Sequence, residues 1–316
     1  MPLVAISTCI LLALQAFNVL AVPTANNDVA EVMISTPGGL RPQSKIFHVP
    51  EGATLHHTSD TVRIISATGE TLHTNQLEKN SGVVHPHFAP EVVAPSRTAA
   101  AARALETGYV AYTYFTNNSD SNPIASFTTS WTVPPVPKTN HNQLLYLFSA
   151  LTPASNDAIL QPVLQYGTSG AGGGNYWAIA SWYLIGSSTY HSTLVPVQPG
   201  QVVGGNLAMK AGVVPSTAGG AQSFTYTANF THSPYAAISA TTTEMLNWGW
   251  VAFEIYSASV ASDLPTGKTS FSNITMNNFD GKPTPLNWLT RNDPTDGLSA
   301  QVMANGSPKG QVDIVF

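Results

Sequence analysis

Short runs of β-branched and aromatic residues recur from Tyr109 to the end of the chain, separated by turn-forming residues. The clearest runs are Ser126–Val133, Leu144–Phe148, Ile159–Tyr166, Tyr176–Tyr183 and Ser223–Phe230, with Pro134-Pro135, Pro199-Gly200 and Gly219-Gly220 as breaks. We find no convincing amphipathic helix. The pattern predicts an all-β domain, an antiparallel β-sandwich or jelly roll in which one of two stacked sheets bends to offer a groove.

The first residues have the composition of a secretory signal. An apolar run, Leu3–Leu14, is followed by small residues at Val19–Ala21, which predicts a signal peptide over residues 1–21 and a secreted, extracellular protein. Gln15 and Asn18 interrupt the run before it reaches the length of a spanning helix, so we expect no membrane association after cleavage. Four Asn-x-Ser/Thr sequons fit this route as glycosylation sites: Asn117, Asn229, Asn273 and Asn305.

Several classes of partner are disfavoured by composition. The only cysteine is Cys9, inside the signal, so we expect no disulfide, thiol nucleophile or thiolate metal site in the mature chain. His141, His191 and His232 are too far apart to form a ligand motif, and we predict neither a metal nor a cofactor. The net charge is −5 and no basic stripe occurs, which argues against a nucleic-acid partner. We expect a monomer.

Charge density divides the mature chain. Residues 22–108 carry fourteen charged side chains, and the following 208 residues carry fifteen. We therefore predict a propeptide or N-terminal arm over 22–108, an exposed linker at Pro95–Glu106, and the β-sandwich domain over 109–316. The N-terminal part holds six of the nine histidines: His48, His56, His57, His73, His85 and His87. Their protonation near pH 6.5 would release an inhibitory segment in acid. A solvated arm or small domain with inert histidines is the open alternative.

Only two glutamates occur after residue 108, and one of them, Glu254, lies inside the aromatic run Trp248–Tyr256. If this run is a strand, Val251, Phe253 and Ile255 share one face, which we expect to be core. The other face carries Trp248, Trp250, Glu254 and Tyr256. Desolvation by the rings would raise the pKa of Glu254 toward the range useful for acid–base catalysis. The alternative is a surface glutamate beside packing aromatics.

Several segments resemble eqolisin-type glutamic peptidases, in the order in which that family has them. They are Phe127–Pro134, Ile159–Gln161 with Leu164–Gly167, Trp182-Tyr183, Val197–Gly200, Val251–Glu254 and Lys268–Thr275. The resemblance covers most of residues 126–275. It implies a secreted acid peptidase with a concanavalin A-like sandwich and a catalytic Gln-Glu pair, acting on polypeptides without a cofactor. A weaker similarity to neprosin-type peptidases, which use two glutamates, brings Glu244 into consideration.

Two glutamines compete for the second catalytic role, because Leu160-Gln161 keeps the Ile-Leu-Gln of the eqolisins and Leu164–Gly167 keeps their Leu-Gln-x-Gly. Both have the strand parity that would let them face Glu254, and we favour Gln165. An ionised Glu254 would take a proton from the attacking water and return it to the departing amine. The glutamine amide would donate to the oxyanion. Trp248, Trp250, Tyr256 and Trp182 would form the substrate groove.

Other functions remain open. The same architecture serves lectins and glycan-active enzymes, and the tryptophans would suit sugar stacking. A glycosidase would need a second carboxyl near Glu254, such as Asp157, because Glu244 would lie about 33 Å away on one continuous strand. A non-catalytic secreted effector is a third reading. No Gly-x-Ser-x-Gly elbow supports a serine triad, and Gly170–Gly174 is typical of a hairpin connection, with a lid as the alternative.

Overall fold

The computed structural model describes residues 31–78, 105, 107–210, 223–292 and 295–316. The predicted signal peptide, His85, His87 and Gly219-Gly220 lie outside these residues, as does the predicted linker Pro95–Glu106 apart from Leu105. The described residues form strands and two 3-10 turns, Gln43–Lys45 and Ala261–Asp263, without an α-helix. No helix in this part of the chain is therefore long and apolar enough to cross a membrane.

The strands follow one another along the whole described chain. Their bounds are β1 Met33–Thr36, β2 Gly39–Pro42, β3 Ile46–His48, β4 Thr54–His57, β5 Thr61–Ile65, β6 Thr71–Gln76, β7 Gly108–Thr116, β8 Ile124–Thr132, β9 Leu144–Thr152, β10 Ala158–Ser169, β11 Gly172–Ile185, β12 Ser188–His191, β13 Val195-Pro196, β14 Val202–Met209, β15 Phe224–Phe230, β16 Ser233–Thr242, β17 Trp248–Tyr256, β18 Lys268–Asn278, β19 Leu289–Asn292, β20 Ser299–Ala304 and β21 Gly310–Val315.

Two large sheets contain nearly all of these strands. The first sheet has the order β19-β7-β17-β9-β10-β11-β12-β3, with β13 paired to β11. The second sheet has the order β20-β21-β18-β8-β14-β15-β16-β4-β5-β6. Pairing is antiparallel except where β3 joins β12 and β4 joins β16. The predicted all-β sandwich is confirmed.

The main core lies between the two sheets and follows the predicted alternation. Val251, Phe253 and Ile255 of β17 pack there with Phe127 and Leu207 of the second sheet. The opposite face of the first sheet, which we call the outer face, carries a separate apolar cluster. The cluster comprises Tyr114, Leu144, Tyr146, Phe148, Ala150, Ile159, Val163, Ala180, Trp182, Leu184, Trp250 and Ala252. Two buried layers therefore sandwich the first sheet, as hydrophobic runs on both faces require.

Residues 31–78 contribute to both sheets. Strand β3 extends the edge of the first sheet, and β4–β6 extend the edge of the second. Within this region, the His57 ring hydrogen-bonds to the Tyr183 hydroxyl at 2.9 Å, and burial lowers the pKa of His57. Because edge strands offer unpaired backbone groups, these additions satisfy donors and acceptors that would otherwise be exposed.

One small hairpin stands apart from the two sheets. Strands β1 and β2 pair only with each other, from Met33↔Pro42 to Thr36↔Gly39. Pro37-Gly38 forms the turn, and Gly38 has a φ of +92°, so proline followed by glycine supplies the backbone angles of a type II turn. We call residues 33–42 the N-terminal hairpin. It contacts β10 and brings its turn against the outer face of the first sheet, at Glu254.

Candidate active site

Glu254 lies on the outer face near the end of β17, with its side chain wholly buried. One carboxylate oxygen, Oε1, accepts a hydrogen bond from the Gly38 backbone N–H at 2.8 Å and a short one from the Tyr256 hydroxyl. The other oxygen, Oε2, is buried and has no hydrogen-bond partner among the described residues. A buried carboxylate oxygen of this kind can accept a hydrogen bond from a water or a substrate.

The environment of Glu254 favours its protonated form. Burial raises the pKa of Glu254 from 4.5 to about 7, and the hydrogen bonds from Tyr256 and Gly38 and the charge of Arg41 oppose this rise. The pKa of Glu254 is therefore raised by desolvation, to which the hairpin and the surrounding rings both contribute. A carboxyl whose pKa lies in this range can both accept and donate a proton.

Three tyrosines surround this carboxyl. Desolvation raises the pKa values of Tyr109, Tyr146 and Tyr256, and the negative charge of Glu254 raises each of them further. The three phenols therefore remain neutral hydrogen-bond donors throughout the acid and neutral range. The rings of Tyr146 and Tyr256 meet edge to face, with their centroids 6.4 Å apart.

A single row of side chains crosses the outer face at Glu254. Glu254 is the register partner of Tyr146 on β9, and Tyr146 is the register partner of Gln165 on β10. Because neighbouring strands are about 4.8 Å apart, Glu254 and Gln165 are about 10 Å apart at their Cα atoms, with Tyr146 between them. We call these three residues the acid row.

Gln165 is fully hydrogen-bonded within the β10–β11 connection. Its Nε2 donates to the carbonyl oxygens of Gly167 at 2.8 Å and Gly172 at 2.9 Å, and its Oε1 accepts from the Ser169 hydroxyl at 2.8 Å. Gly170-Ala171 connects the two strands, so the glycine-rich segment is a hairpin turn. Both amide hydrogens of Gln165 thus bind backbone carbonyls in this conformation.

Gln161 belongs to a second row on the same face. It pairs in register with Trp182 on β11, and the pairs on either side place it beside Ala150, which is the register partner of Trp250. We call Trp250, Ala150, Gln161 and Trp182 the tryptophan row. Both amide atoms of Gln161 and the Trp182 ring nitrogen are buried without a hydrogen-bond partner among the described residues. Gln161 is four residues from the acid row, or about 13 Å along the strand.

The predicted groove residues differ in accessibility. Trp182 and Trp250 are buried, and Trp250 stacks on Tyr114 and donates to the Thr152 hydroxyl at 3.0 Å. Trp248 and Tyr256 are partly exposed. Buried tryptophans form the floor of the outer face and leave little ring surface for stacking on a sugar.

Glu244 is remote from Glu254. It is exposed in the loop before β17, where it accepts a hydrogen bond from Ser155 at 2.8 Å. Trp248 and Glu254 are six positions apart on β17, which is about 20 Å in an extended strand. The structure therefore does not bring the two glutamates together. Asp157 shares the Ser155 hydroxyl at 2.8 Å and lies at the Glu244 end.

The four predicted glycosylation sites are all at least partly exposed. Asn273 and Asn305 are exposed, and Asn117 and Asn229 are half-buried. Among the described residues, no three His, Cys, Asp or Glu side chains are arranged to hold a metal ion.

Sequence reasoning did not single out four residues at this site: Gly38, Arg41, Tyr146 and Ser169. Arg41 is half-buried and lies near Tyr256, and its charge acts on Glu254. The Pro37-Gly38-Gly39 sequence is a visible turn signal, but its partner is 216 residues away. The register that aligns Tyr146 with Glu254 depends on β9 lying between β17 and β10, which strand patterns do not reveal.

Comparison with known proteins gives structural similarity alone. No protein-family model matches the chain, and no curated protein matches it. A scytalido-glutamic peptidase bound to a peptide-based transition-state analogue has a TM-score of 0.43 and 10% identity, covering 66% of this chain and 100% of that one. SCP-B, an eqolisin-family peptidase in complex with the tripeptide Ala-Ile-His, has a TM-score of 0.39 and 10% identity, covering 67% and 98%. At 10% identity, the likeness is one of fold and assigns no role to any residue of this chain.

Proposed function

We propose that this protein is a secreted acid endopeptidase in which Glu254 activates the attacking water. The observation that carries the proposal is the contact between a peptide backbone and a buried carboxyl: the Gly38 N–H donates to Glu254 Oε1, while Oε2 is left without a partner among the described residues. An outer face that already holds one peptide segment against a carboxyl with a raised pKa has the two features that a glutamic peptidase needs.

In the proposed reaction, ionised Glu254 takes a proton from water as the water oxygen attacks the carbonyl carbon of a substrate peptide bond. The resulting carboxylic acid then donates this proton to the departing amine as the C–N bond breaks. The oxyanion requires a hydrogen-bond donor, and the resemblance to eqolisins assigns this role to Gln165. In the conformation described, one of its bonds to Gly167 or Gly172 would have to be exchanged for the substrate.

We further propose that the N-terminal hairpin inhibits the enzyme while it occupies this position. The hairpin covers Glu254, and burial is the largest cause of the raised pKa. When the hairpin leaves, water reaches the carboxylate and the pKa falls, so the ionised base persists to lower pH. In this proposal, the inhibitory role predicted for residues 22–108 belongs to the hairpin, which is the segment that contacts Glu254.

The test is hydrolysis of casein by the secreted protein from pH 3 to 7 with a chelator present, comparing wild type, Glu254→Gln and Glu244→Gln. Glu244→Gln is the matched control, because it makes the same change at an exposed site remote from the groove. We expect cleavage by wild type and by Glu244→Gln, and a loss of about 1000-fold or more in Glu254→Gln.

Activity retained in a folded Glu254→Gln variant would overturn the proposal. So would absence of cleavage at every pH, both in the full chain and after proteolytic removal of the hairpin. In that case a glycan array would test the alternative, a lectin-like or glycan-active protein, and binding there would replace the peptidase assignment.

A further inference from the structure

Besides the base Glu254, the proposed reaction needs a hydrogen-bond donor for the oxygen of the substrate carbonyl. Both Nε2 hydrogens of Gln165 bind the carbonyls of Gly167 and Gly172, which close the β10–β11 hairpin. Freeing either hydrogen would leave a backbone carbonyl without this partner, which is unfavourable if the carbonyl stays buried. A donor that already faces the hairpin beside Glu254 would avoid this loss.

Tyr146 is such a donor. It lies between Glu254 and Gln165 in the acid row, and its side chain is wholly buried. Its hydroxyl donates a long hydrogen bond, 3.5 Å, to the carbonyl oxygen of Ser35. Ser35 belongs to the N-terminal hairpin, so the tyrosine already faces a peptide carbonyl supplied by the segment that covers Glu254.

The hairpin thus presents two backbone groups to two different side chains. Its Gly38 N–H binds Glu254, and its Ser35 carbonyl faces Tyr146. A substrate that replaced the hairpin would meet the same pair, a carboxyl that accepts hydrogen and a phenol that donates it. Addition of water to a peptide carbonyl requires both groups, an acceptor for the proton of the water and a donor to the carbonyl oxygen.

We propose that the Tyr146 hydroxyl donates the hydrogen bond that stabilises the oxyanion, and that Gln165 acts as a positioning residue behind it. The proposal rests on the proposed peptidase function. Gln165 acts through Ser169, whose hydroxyl donates to Gln165 Oε1 and lies close enough to the Tyr146 hydroxyl to lower its pKa slightly. Desolvation and the charge of Glu254 hold the pKa of Tyr146 well above its usual range, so the phenol keeps its proton while Glu254 titrates.

The first experiment compares steady-state kinetics of wild type, Tyr146→Phe and Tyr190→Phe in the same secreted preparation in which Glu254→Gln abolishes cleavage. Tyr190 is the matched control, because it is also a buried tyrosine of the first sheet but packs in the core between the sheets and hydrogen-bonds to Asn75. We expect Tyr146→Phe to lower kcat about 100-fold or more with KM changed less than threefold, and Tyr190→Phe to leave kcat near that of wild type.

A second measurement separates an oxyanion donor from a structural residue. A peptide aldehyde, which hydrates to a tetrahedral form, should bind Tyr146→Phe about 100-fold more weakly than wild type, while the corresponding peptide alcohol binds both equally. The acid limb of the kcat/KM profile, which reports Glu254, should stay in place.

Full activity of Tyr146→Phe beside an inactive Glu254→Gln would overturn the role of Tyr146 and leave the peptidase proposal intact. An equal loss of affinity for aldehyde and alcohol would also overturn it, because that result describes a damaged groove. If Glu254→Gln itself remains active, the proposed function fails first.

Discussion

The acid row and the tryptophan row occupy the same face of the same sheet, and each includes a buried glutamine of β10. Gln165 uses all of its polar atoms in three hydrogen bonds, whereas neither amide atom of Gln161 has a hydrogen-bond partner in the described part of the chain. The N-terminal hairpin contacts the acid row through Gly38 and Ser35. Identical residues four positions apart therefore differ in hydrogen bonding, because the β10–β11 turn lies next to only one of them.

The largest expected difference between the rows is in stability. Gln165→Leu would leave the carbonyls of Gly167 and Gly172 and the Ser169 hydroxyl without this partner, so we expect a loss of about 3 kcal/mol or more in the free energy of unfolding. Gln161→Leu removes a buried amide without a described partner, and we expect no loss, or a gain of about 1 kcal/mol. Denaturant unfolding of both variants measures the gap; equal destabilisation would remove the distinction between the rows.

Titration of the acid row gives the next largest effect. The pKa of Glu254 is raised from 4.5 to about 7 in the folded protein, so between these values the folded state binds more protons than the unfolded state. Wild-type stability should therefore fall as pH rises through this window, by up to about 3 kcal/mol. Glu254→Gln cannot ionise and should lack this slope. Thermal unfolding at pH 4 and pH 8 tests it, and parallel stability curves for the two proteins would contradict the prediction.

Two neighbouring glycines test how closely the turn is packed against the acid row. A Cβ on Gly173 would lie 2.4 Å from the Gly167 oxygen and 2.6 Å from Gln165 Nε2, whereas a Cβ on Gly172 would meet nothing within 4 Å. Both have positive φ, so alanine is strained at either position. We expect Gly173→Ala to be about 2 kcal/mol less stable than Gly172→Ala because of the collision. Equal melting temperatures would show that the Gln165 contact is unimportant.

The smallest effect concerns how tightly the N-terminal hairpin binds to the outer face at Glu254. Near pH 7, where Glu254 is partly ionised, Arg41→Glu replaces an attraction to Glu254 with a repulsion, while Leu40→Glu places a glutamate on an exposed neighbouring residue. We expect the first change to destabilise the state in which the hairpin covers Glu254 by about 1 kcal/mol. The unprocessed chain should then be about fivefold more active, whereas the second change should have no effect. The measurement is the initial rate of casein cleavage before any processing, and equal rates in both variants would argue against an inhibitory hairpin.

Much of the fold was predictable from local pattern. Strand alternation placed Val251, Phe253 and Ile255 in the core and Glu254 on the opposite face, because side chains on a strand alternate regardless of what the strand pairs with. The same parity placed Gln161 and Gln165 on the face of Glu254. The division of residues 22–108 from the rest remains a prediction, although residues 31–78 contribute strands to the edges of both sheets.

Local patterns in the amino-acid sequence are enough to predict a β-sandwich and a lone glutamate among aromatic rings, since periodicity and composition are local properties. The groups that contact this glutamate follow from long-range strand pairing. The order β17-β9-β10 sets Tyr146 between Glu254 and Gln165, and the hairpin turn at Gly38 reaches the carboxylate from 216 residues away. Such contacts depend on strand order and register across the sheet, and hydrogen bonding in a desolvated site then sets the pKa that the chemistry requires.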